Sequence, residues 1–510
     1  MERKVRVRFA PSPTGGLHLG GVRTVLYNYL FAKQNGGDFV LRIEDTDQSR
    51  YVIGAEEYIY ETLTWCGLEP DESTINGGPF APYRQSERKN IYKKYGEELI
   101  RKGFAYYAFD TSAELDAMRI NLRTAENPTP QYDRTVRIQM RNSLVLSEKE
   151  VNDLLQKNTP HVIRIKMPGD ETVSFTDIIR GEVGFETSAL DDKVLLKADG
   201  MPTYHLAVVV DDFLMEITHA FRGEEWLPSA PVHVLLWRYL FGEERMPQWA
   251  HLPLILGPNG KLSKRDGAKY GFPVFASSWT DPKTGELTQG FREKGFLPEA
   301  FINMLAMLGW NDGTEQELFS LEELIQKFSI EKVHKGGAKF DFEKARWYNH
   351  EWIKKLQVSN YQDQVKKIFL DKGIKISDDA YFEKVLEMVK ERCMFLNDFW
   401  DHSFFFFKAP TEYDTAAIVA KWNSDKLNFF ESFTKVLRSV GDWNASTLET
   451  LFKQLAETIG IKAGELQLPL RIILVGGKFG PPVFNIAELL GKEETVARMG
   501  NALIQFATLK

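Results

Sequence analysis

A chain of 510 residues exceeds what one hydrophobic core organises, and it predicts three or four domains. Its 43% hydrophobic and 26% charged residues fit a soluble globular protein, and no apolar run reaches the roughly 18 residues of a membrane span. The net charge of -7 excludes a globally basic nucleic-acid binder, so such a role would need local patches, and two distant cysteines exclude a disulfide framework.

At the start, Val5, Val7 and Phe9 alternate with Arg6, Arg8 and Ala10, a period-two strand signal. The segment MERKVRVRFA is too charged for a secretory leader, which predicts a cytoplasmic protein. Residues 11–22, PSPTGGLHLGGV, form a proline- and glycine-rich loop around His18. Beyond it Val22, Val25, Leu26, Tyr29 and Leu30 recur on one helical face, and a second strand is predicted from Phe39. Strand, loop, helix and strand in this order predict a parallel sheet.

Helices are predicted over 54–66 and 88–102, followed by a mixed stretch, about 106–199, with strands in HVIRIKMPG and VLLKADG. YHLAVVVDDF, from Tyr204, is almost entirely apolar and predicts a buried parallel strand, followed by a helix in PVHVLLWRYLF. One doubly wound sheet split by an inserted domain accounts for this order. After Pro258 the chain is loop-rich, and from LPEAFINMLAMLGW it is predicted helical to Lys510, divided near KAPTEYD. Cys66 and Cys393 are expected as buried thiols rather than zinc ligands.

Two segments suggest chemistry. A glycine loop that opens a helix after the first strand suits a phosphate, although its spacing fits neither GxGxxG nor GxxxxGK[ST], and a structural turn explains it equally well. KLSKRDG, at Lys261 to Gly267, surrounds a serine with cations. Alone it reads as a solvated loop. Together with the histidine loop it suits stabilisation of charge on a phosphoryl centre and a leaving pyrophosphate.

SPTGGLHLGG resembles the HIGH signature, and KLSKR the KMSKS signature, of class I aminoacyl-tRNA synthetases. LRIEDTDQSR, PYRQSER, GMPTYHL, RGEEWLPS and PLRIILVGGKFGPPVFNIAELLGKE resemble the bacterial-type glutamyl-tRNA synthetase family in particular. The resemblance implies an α/β fold: a Rossmann-type parallel sheet split by an inserted α/β acceptor-end domain, followed by an all-helical anticodon-binding region. The implied segments are 1–105 and 201–257 (catalytic), 106–200 (inserted), 258–340 (KMSKS loop and stem contact), and 341–410 and 411–510 (helical anticodon-binding). The implied activity is attachment of L-glutamate to tRNA(Glu) through a glutamyl-adenylate, with ATP and Mg²⁺, by a cytoplasmic monomer.

Residue by residue, the resemblance implies that His18, Lys261 and Lys264 are catalytic. ATP would lie against Ser12, Gly16, His18, Gly20, Lys261, Ser263 and Lys264, and glutamate against Arg8, Ser12, Glu44, Tyr204, Arg222 and Trp226. Two carboxylates and one ammonium call for two cations and one anion, which Arg8, Arg222 and Glu44 supply. Neighbouring Asp45 and Asp47 are expected only to cap or solvate a turn. A glutamine amide in place of the γ-carboxylate would leave a buried guanidinium without its counter-charge. Arg392 matches a position that reads the last anticodon base.

The chain also departs from the family. Gly21 replaces the second histidine of HIGH, a form typical of glutamyl rather than glutaminyl enzymes, and Val208 stands where an asparagine is frequent. FAYYAFDT lacks the cysteines of zinc-dependent relatives, so no zinc is expected and no metal ligands are assigned. Still open here are an enzyme that also charges glutamine tRNA, a nucleotidyltransferase without tRNA, and a catalytically inactive RNA-binding relative; intact His18, Lys261 and Lys264 weigh against the last.

Overall fold

The computed structural model describes residues 3–509, apart from the side chain of Lys264. Strand Arg6–Phe9 runs parallel to strand Asp38–Leu41 with Arg8 opposite Val40, and helix Leu19–Gln34 joins the two. Val22, Val25, Leu26 and Leu30 of that helix are fully buried, so the apolar stripe in the sequence is the face that meets the core.

The largest sheet among the described residues runs Asp38–Leu41, Arg6–Phe9, His219–Gly223, Gln248–Leu252, Thr172–Asp177, Gly181–Glu186. Its neighbours pair parallel except at the last edge, where Thr172–Asp177 and Gly181–Glu186 form an antiparallel hairpin. The hairpin lies in sequence between the two halves of the α/β alternation, yet it extends this sheet through Asp177 opposite Trp249. The other strands of that stretch, Ala105–Ala108, Val162–Ile165 and Val194–Leu196, form a separate antiparallel sheet. HVIRIKMPG and VLLKADG supply two of its strands, as predicted.

One element differs in kind from its prediction. YHLAVVVDDF is not a strand but most of helix Tyr204–Leu214, and the parallel strand that follows the insertion is His219–Gly223. The helix packs against helices Lys89–Arg101 and Ala230–Leu240, burying Leu206 to Asp212 without a break. Buried all round, it has no polar stripe from which a 3.6-residue period can be read.

The chain divides into two compact units, 1–293 with 301–342, and 294–300 with 343–510. In the first, strands Ile255–Gly257, Gly260–Lys261 and Ala338–Lys339 make a small sheet; Gly260–Lys261 lies in the stretch predicted as loops, and Ala338–Lys339 interrupts the stretch predicted helical. The second is helical, with helices Gln362–Asp371, Asp379–Val389, Ser424–Ser439, Ala445–Ile459, Ala463–Val475, Val483–Leu490 and Lys492–Phe506. Phe429, Phe430, Phe433 and Phe452 fill its larger core with Phe405 from the run Phe404–Phe407. The short segment 294–300 belongs to this unit through Asn349, whose Oδ1 accepts from Leu297 N (2.8 Å) and whose Nδ2 donates to Gly295 O (3.2 Å). Among the described residues no helix is long and apolar enough to cross a membrane, and Cys66 and Cys393 are both buried free thiols.

Candidate active site

A cavity of about 620 Å³ opens beyond the carboxyl ends of strands Arg6–Phe9 and His219–Gly223, where parallel α/β sheets place their ligands. The glycine loop forms one wall. His18 is the N-cap of helix Leu19–Gln34; its carbonyl accepts from Gly21 N (2.8 Å) and its ring meets Phe275 edge-on. Gly15 has φ +145°, a conformation costly for any other residue, and a side chain built at Gly20 would meet nothing within 4 Å, so the wall is open there. Gly21 and Val208 also face the cavity, and Val208 is 2% exposed.

Arg8, Ser12, Glu44, Tyr204, Arg222, Trp226 and Lys261 line the same cavity as His18 and Gly20. Gly16 and Ser263 do not. Gly16 lies against Trp279, 3.0 Å from where its Cβ would be, and Ser263 caps helix Lys264–Tyr270 with Asp266 in a capping box. The side chain of Lys264 lies outside the described residues. Lys261 is exposed and paired with Glu225 at 2.9 Å. Asp47 accepts from Ser49 N (3.2 Å), the turn-capping role expected of it, whereas Asp45, 4% exposed, accepts from Gln48 Nε2 (3.1 Å) and from Ser86 N (2.8 Å), and so joins two distant segments.

Arg8 is not on a solvated strand face; it is 4% exposed and its Nε donates to Asp212 Oδ1 at 3.1 Å. Asp212 also accepts from Arg42 Nη1 (2.9 Å), and Arg42 Nη2 donates to Glu44 Oε1 (3.1 Å). Beside it, Asp211 accepts from Arg88 Nε (2.7 Å), Gln85 Nε2 (2.9 Å) and Tyr92 Oη (2.8 Å). Burial pushes the Glu44 carboxyl up while Arg42 and Arg8 pull it back, whereas for Asp212 burial is outweighed by Arg8 and Arg42, which hold it low. Arg8 thus has a counter-charge before any substrate binds. A glutamine amide would not leave it wholly unanswered, contrary to the sequence expectation.

Arg222 is held differently. Nε donates to His251 Nε2 (2.9 Å), while Nη1 lies 3.3 Å from Tyr204 Oη and 3.1 Å from His233 Nδ1. Trp249 packs under the guanidinium at 4.7 Å, and the Tyr204 ring stacks obliquely on Trp226 at 4.6 Å. Nη2 of Arg222 is buried and has no hydrogen-bond partner among the described residues. Sequence reasoning missed Arg42, Asp211, Asp212, His233 and His251. The one available signal was the doublet Asp211–Asp212 at the end of an apolar run, since carboxylates buried there need cationic partners.

In the helical unit Arg392 is exposed, in the turn Lys390–Arg392. Burial lowers the pKa of Arg471, and the charge of nearby Arg392 lowers it further. Arg471 Nη1 donates to Phe479 O (3.1 Å), and the Phe479 ring is 41% exposed. No group of three or more His, Cys, Asp or Glu side chains is placed to hold a metal among the described residues. The FAYYAFDT segment instead fills a core, with Tyr106 Oη donating to Asp192 Oδ2 at 2.6 Å.

The family profile described as tRNA synthetases class I (E and Q), catalytic domain, matches residues 4–347, and an anticodon binding domain profile matches 345–503. The glutamate–tRNA ligase of Amoebophilus asiaticus is 49% identical over 509 residues, covering 99% of this chain and 98% of the relative. That of Flavobacterium psychrophilum is 52% identical over 506 residues, covering 99% of each. A solved glutamate tRNA ligase from Elizabethkingia meningosepticum, in complex with its amino acid, matches all of both chains at 48% identity with a TM-score of 0.93.

Proposed function

The chain belongs to the class I tRNA synthetases for glutamate and glutamine, and from that premise we propose that the cavity bounded by His18, Arg8, Glu44, Arg222 and Lys261 is where glutamate and ATP react. The protein attaches glutamate to tRNA. In the first step a glutamate α-carboxylate oxygen attacks the α-phosphorus of ATP, and the bond to the departing pyrophosphate breaks. In the second, a hydroxyl of the tRNA 3′-terminal adenosine attacks the carbonyl of the adenylate, and AMP leaves.

The observation that carries the site assignment is the convergence of these side chains, which come from distant parts of the sequence, on one cavity. Glu44 accepts the substrate ammonium, and Arg8 and Arg222 take the two carboxylates. His18 and the open backbone at Gly20 face the phosphates, with Ser12 beside them and Gly16 and Ser263 shaping the loops that carry them. Lys261 stabilises charge that grows on the phosphoryl oxygens, with Lys264 as its partner in the same segment, and Mg²⁺ enters as part of the ATP substrate. On this reading 1–105 and 201–257 carry the catalysis, 106–200 binds the acceptor end, 258–340 carries the KMSKS-like loop, and 341–410 and 411–510 bind the anticodon.

The exposed cation Arg392, backed by Arg471 and the Phe479 ring, offers charge and a stacking face to a single-stranded anticodon base. On this reading the enzyme is a cytoplasmic monomer selective for tRNA(Glu). Charging purified glutamate and glutamine tRNAs with labelled glutamate tests the selectivity: only the glutamate tRNA is expected to be charged, and equal charging of both would refute it. Pyrophosphate exchange with glutamate and ATP tests the chemistry and is expected to require tRNA.

A further inference from the structure

Of the buried arginines at and behind the cavity wall, Arg23 donates to the backbone carbonyls of Leu308 and Pro253, whereas three touch a carboxylate: Arg8 touches Asp212, Arg42 touches Glu44, Asp211 and Asp212, and Arg88 touches Asp211. Arg222, 6% exposed, touches none among the described residues. Its two protein-facing edges meet histidines instead.

An arginine side chain only donates, so each imidazole nitrogen facing it accepts. Because His251 Nε2 accepts from Arg222, its proton sits on Nδ1, which lies 2.6 Å from Asp177 Oδ2. His233 is the mirror case. Its Nδ1 accepts from Arg222, so its proton is on Nε2, 3.2 Å from His205 Nδ1. Asp177 is 1% exposed and is further fixed by backbone N–H donors from Arg180 (2.8 Å) and His251 (3.1 Å). His233 and His251 are 1% and 0% exposed, and neither they nor Asp177 lines the cavity.

We infer that His251 with Asp177, and His233 with His205, are positioning residues that cross-brace Arg222 from two sides through neutral imidazoles of opposite tautomer, leaving its buried Nη2 edge to a carboxylate of the substrate. This rests on the reading of Arg222 as a glutamate-binding residue. A carboxylate in direct contact would hold the guanidinium as firmly but would compete with the substrate for it. A neutral acceptor fixes the same geometry and keeps the bonding edge open. The anion that completes the brace, Asp177, stands one imidazole away from the guanidinium. The two neutral supports distinguish Arg222 from Arg8, whose Nε is already committed to Asp212.

The test uses the full-length enzyme with tRNA(Glu), reading glutamate KM, ATP KM and kcat in pyrophosphate exchange, with thermal midpoints alongside. H233L and H251L are expected to raise glutamate KM about tenfold with ATP KM nearly unchanged, the size of one lost charge-assisted hydrogen bond. H233N, which keeps an acceptor at the Nδ1 position, is expected to return most of that loss. H233D keeps the geometry and adds charge, so it is expected to bind glutamate as poorly as H233L while melting no lower than H233N. In enzyme labelled with ¹⁵N-histidine, His251 is expected as the Nδ1–H tautomer and His233 as the Nε2–H tautomer. Unchanged glutamate KM in the leucine variants, H233D equal to H233N, or matching tautomers would each overturn the brace. Should the leucine variants not fold, the H233N and H233D pair decides alone. R222L separates the two levels: a large rise in its glutamate KM with unmoved histidine variants removes only the brace, whereas no rise in R222L removes the site reading as well.

Discussion

Arg8 and Asp212 stand 204 residues apart in the chain and 3.1 Å apart in the fold, so neither side chain can be assigned without the other. Replacing Arg8 by leucine removes a substrate partner and half of a buried ion pair. We expect R8L to raise glutamate KM in pyrophosphate exchange by about a hundredfold and to cost about 3 kcal/mol of stability, modest for such a pair because Arg42 still answers Asp212. Combining R8L with D212L is expected to recover part of the stability and none of the affinity, measurable by thermal melting and by exchange. Histidine burial gives a second expectation. Burial, and then the charge of Lys193, lowers His205 to about 4, and burial with Arg222 holds His233 well below its ordinary value. Both are neutral in the fold, while the unfolded chain takes up a proton on each as pH drops through about 6.5. Stability is therefore whole above that pH and falls toward pH 4, by about 1.4 kcal/mol per unit for each histidine. Melting curves from pH 7 to 4.5 should show the loss, reduced in H233N. That His18, Glu44 and Lys261 share one cavity was legible because local signatures carry all three. The supports of Arg8 and Arg222 were not, since Asp212, His233 and His251 make their contacts across long sequence separations that no local pattern encodes.

At the scale of elements, legibility followed amphipathicity. Helix Leu19–Gln34 buries one stripe and was readable, whereas helix Tyr204–Leu214 is enclosed by two other helices and shows only a hydrophobic run that suits a strand equally well. Its helical form has a chemical result: adjacent Asp211 and Asp212 diverge around the axis, one to Arg88 and the other to Arg8, with Arg42 between them, 3.7 Å from Asp211 and 2.9 Å from Asp212. The hairpin Thr172–Glu186 was missed for another reason. Its attachment to the main sheet is made around Asp177, opposite Trp249, with Ile178 N donating to Trp249 O and His251 N to Asp177, which nothing local announces. The segment around Lys261 is tied by an exposed pair to Glu225, worth at most about 1 kcal/mol, so the lysine can leave for a phosphate at little cost. K261A is expected to lower kcat for adenylate formation by about a hundredfold with glutamate KM nearly unchanged, because it acts on charge present only in the transition state. A matching rise in glutamate KM would contradict that role.

For the molecule as a whole, the catalytic and anticodon profiles meet near residue 345, close to where the two compact units divide. R392Q is expected to leave glutamate activation intact in the presence of saturating tRNA and to narrow the preference for glutamate tRNA over glutamine tRNA about tenfold in charging assays, because base discrimination by arginine rests on bidentate contacts of this strength. The switch to helical patterning was legible in the sequence, but the interleaving of the two units was not. Segment 294–300 is numbered among catalytic residues, yet it hydrogen-bonds to Asn349 of the helical unit, and Leu396 N donates to Gly295 O at 2.9 Å. During synthesis this strip leaves the ribosome well before its partners, since Leu297 precedes Asn349 by 52 residues. The nascent catalytic unit must therefore carry an unsatisfied strip until translation has moved past Leu396. A gene fusion that exchanged the anticodon-reading portion at the profile boundary would inherit the mismatch, and a viable exchange has to bring residues 294–300 along with everything from 343 onward.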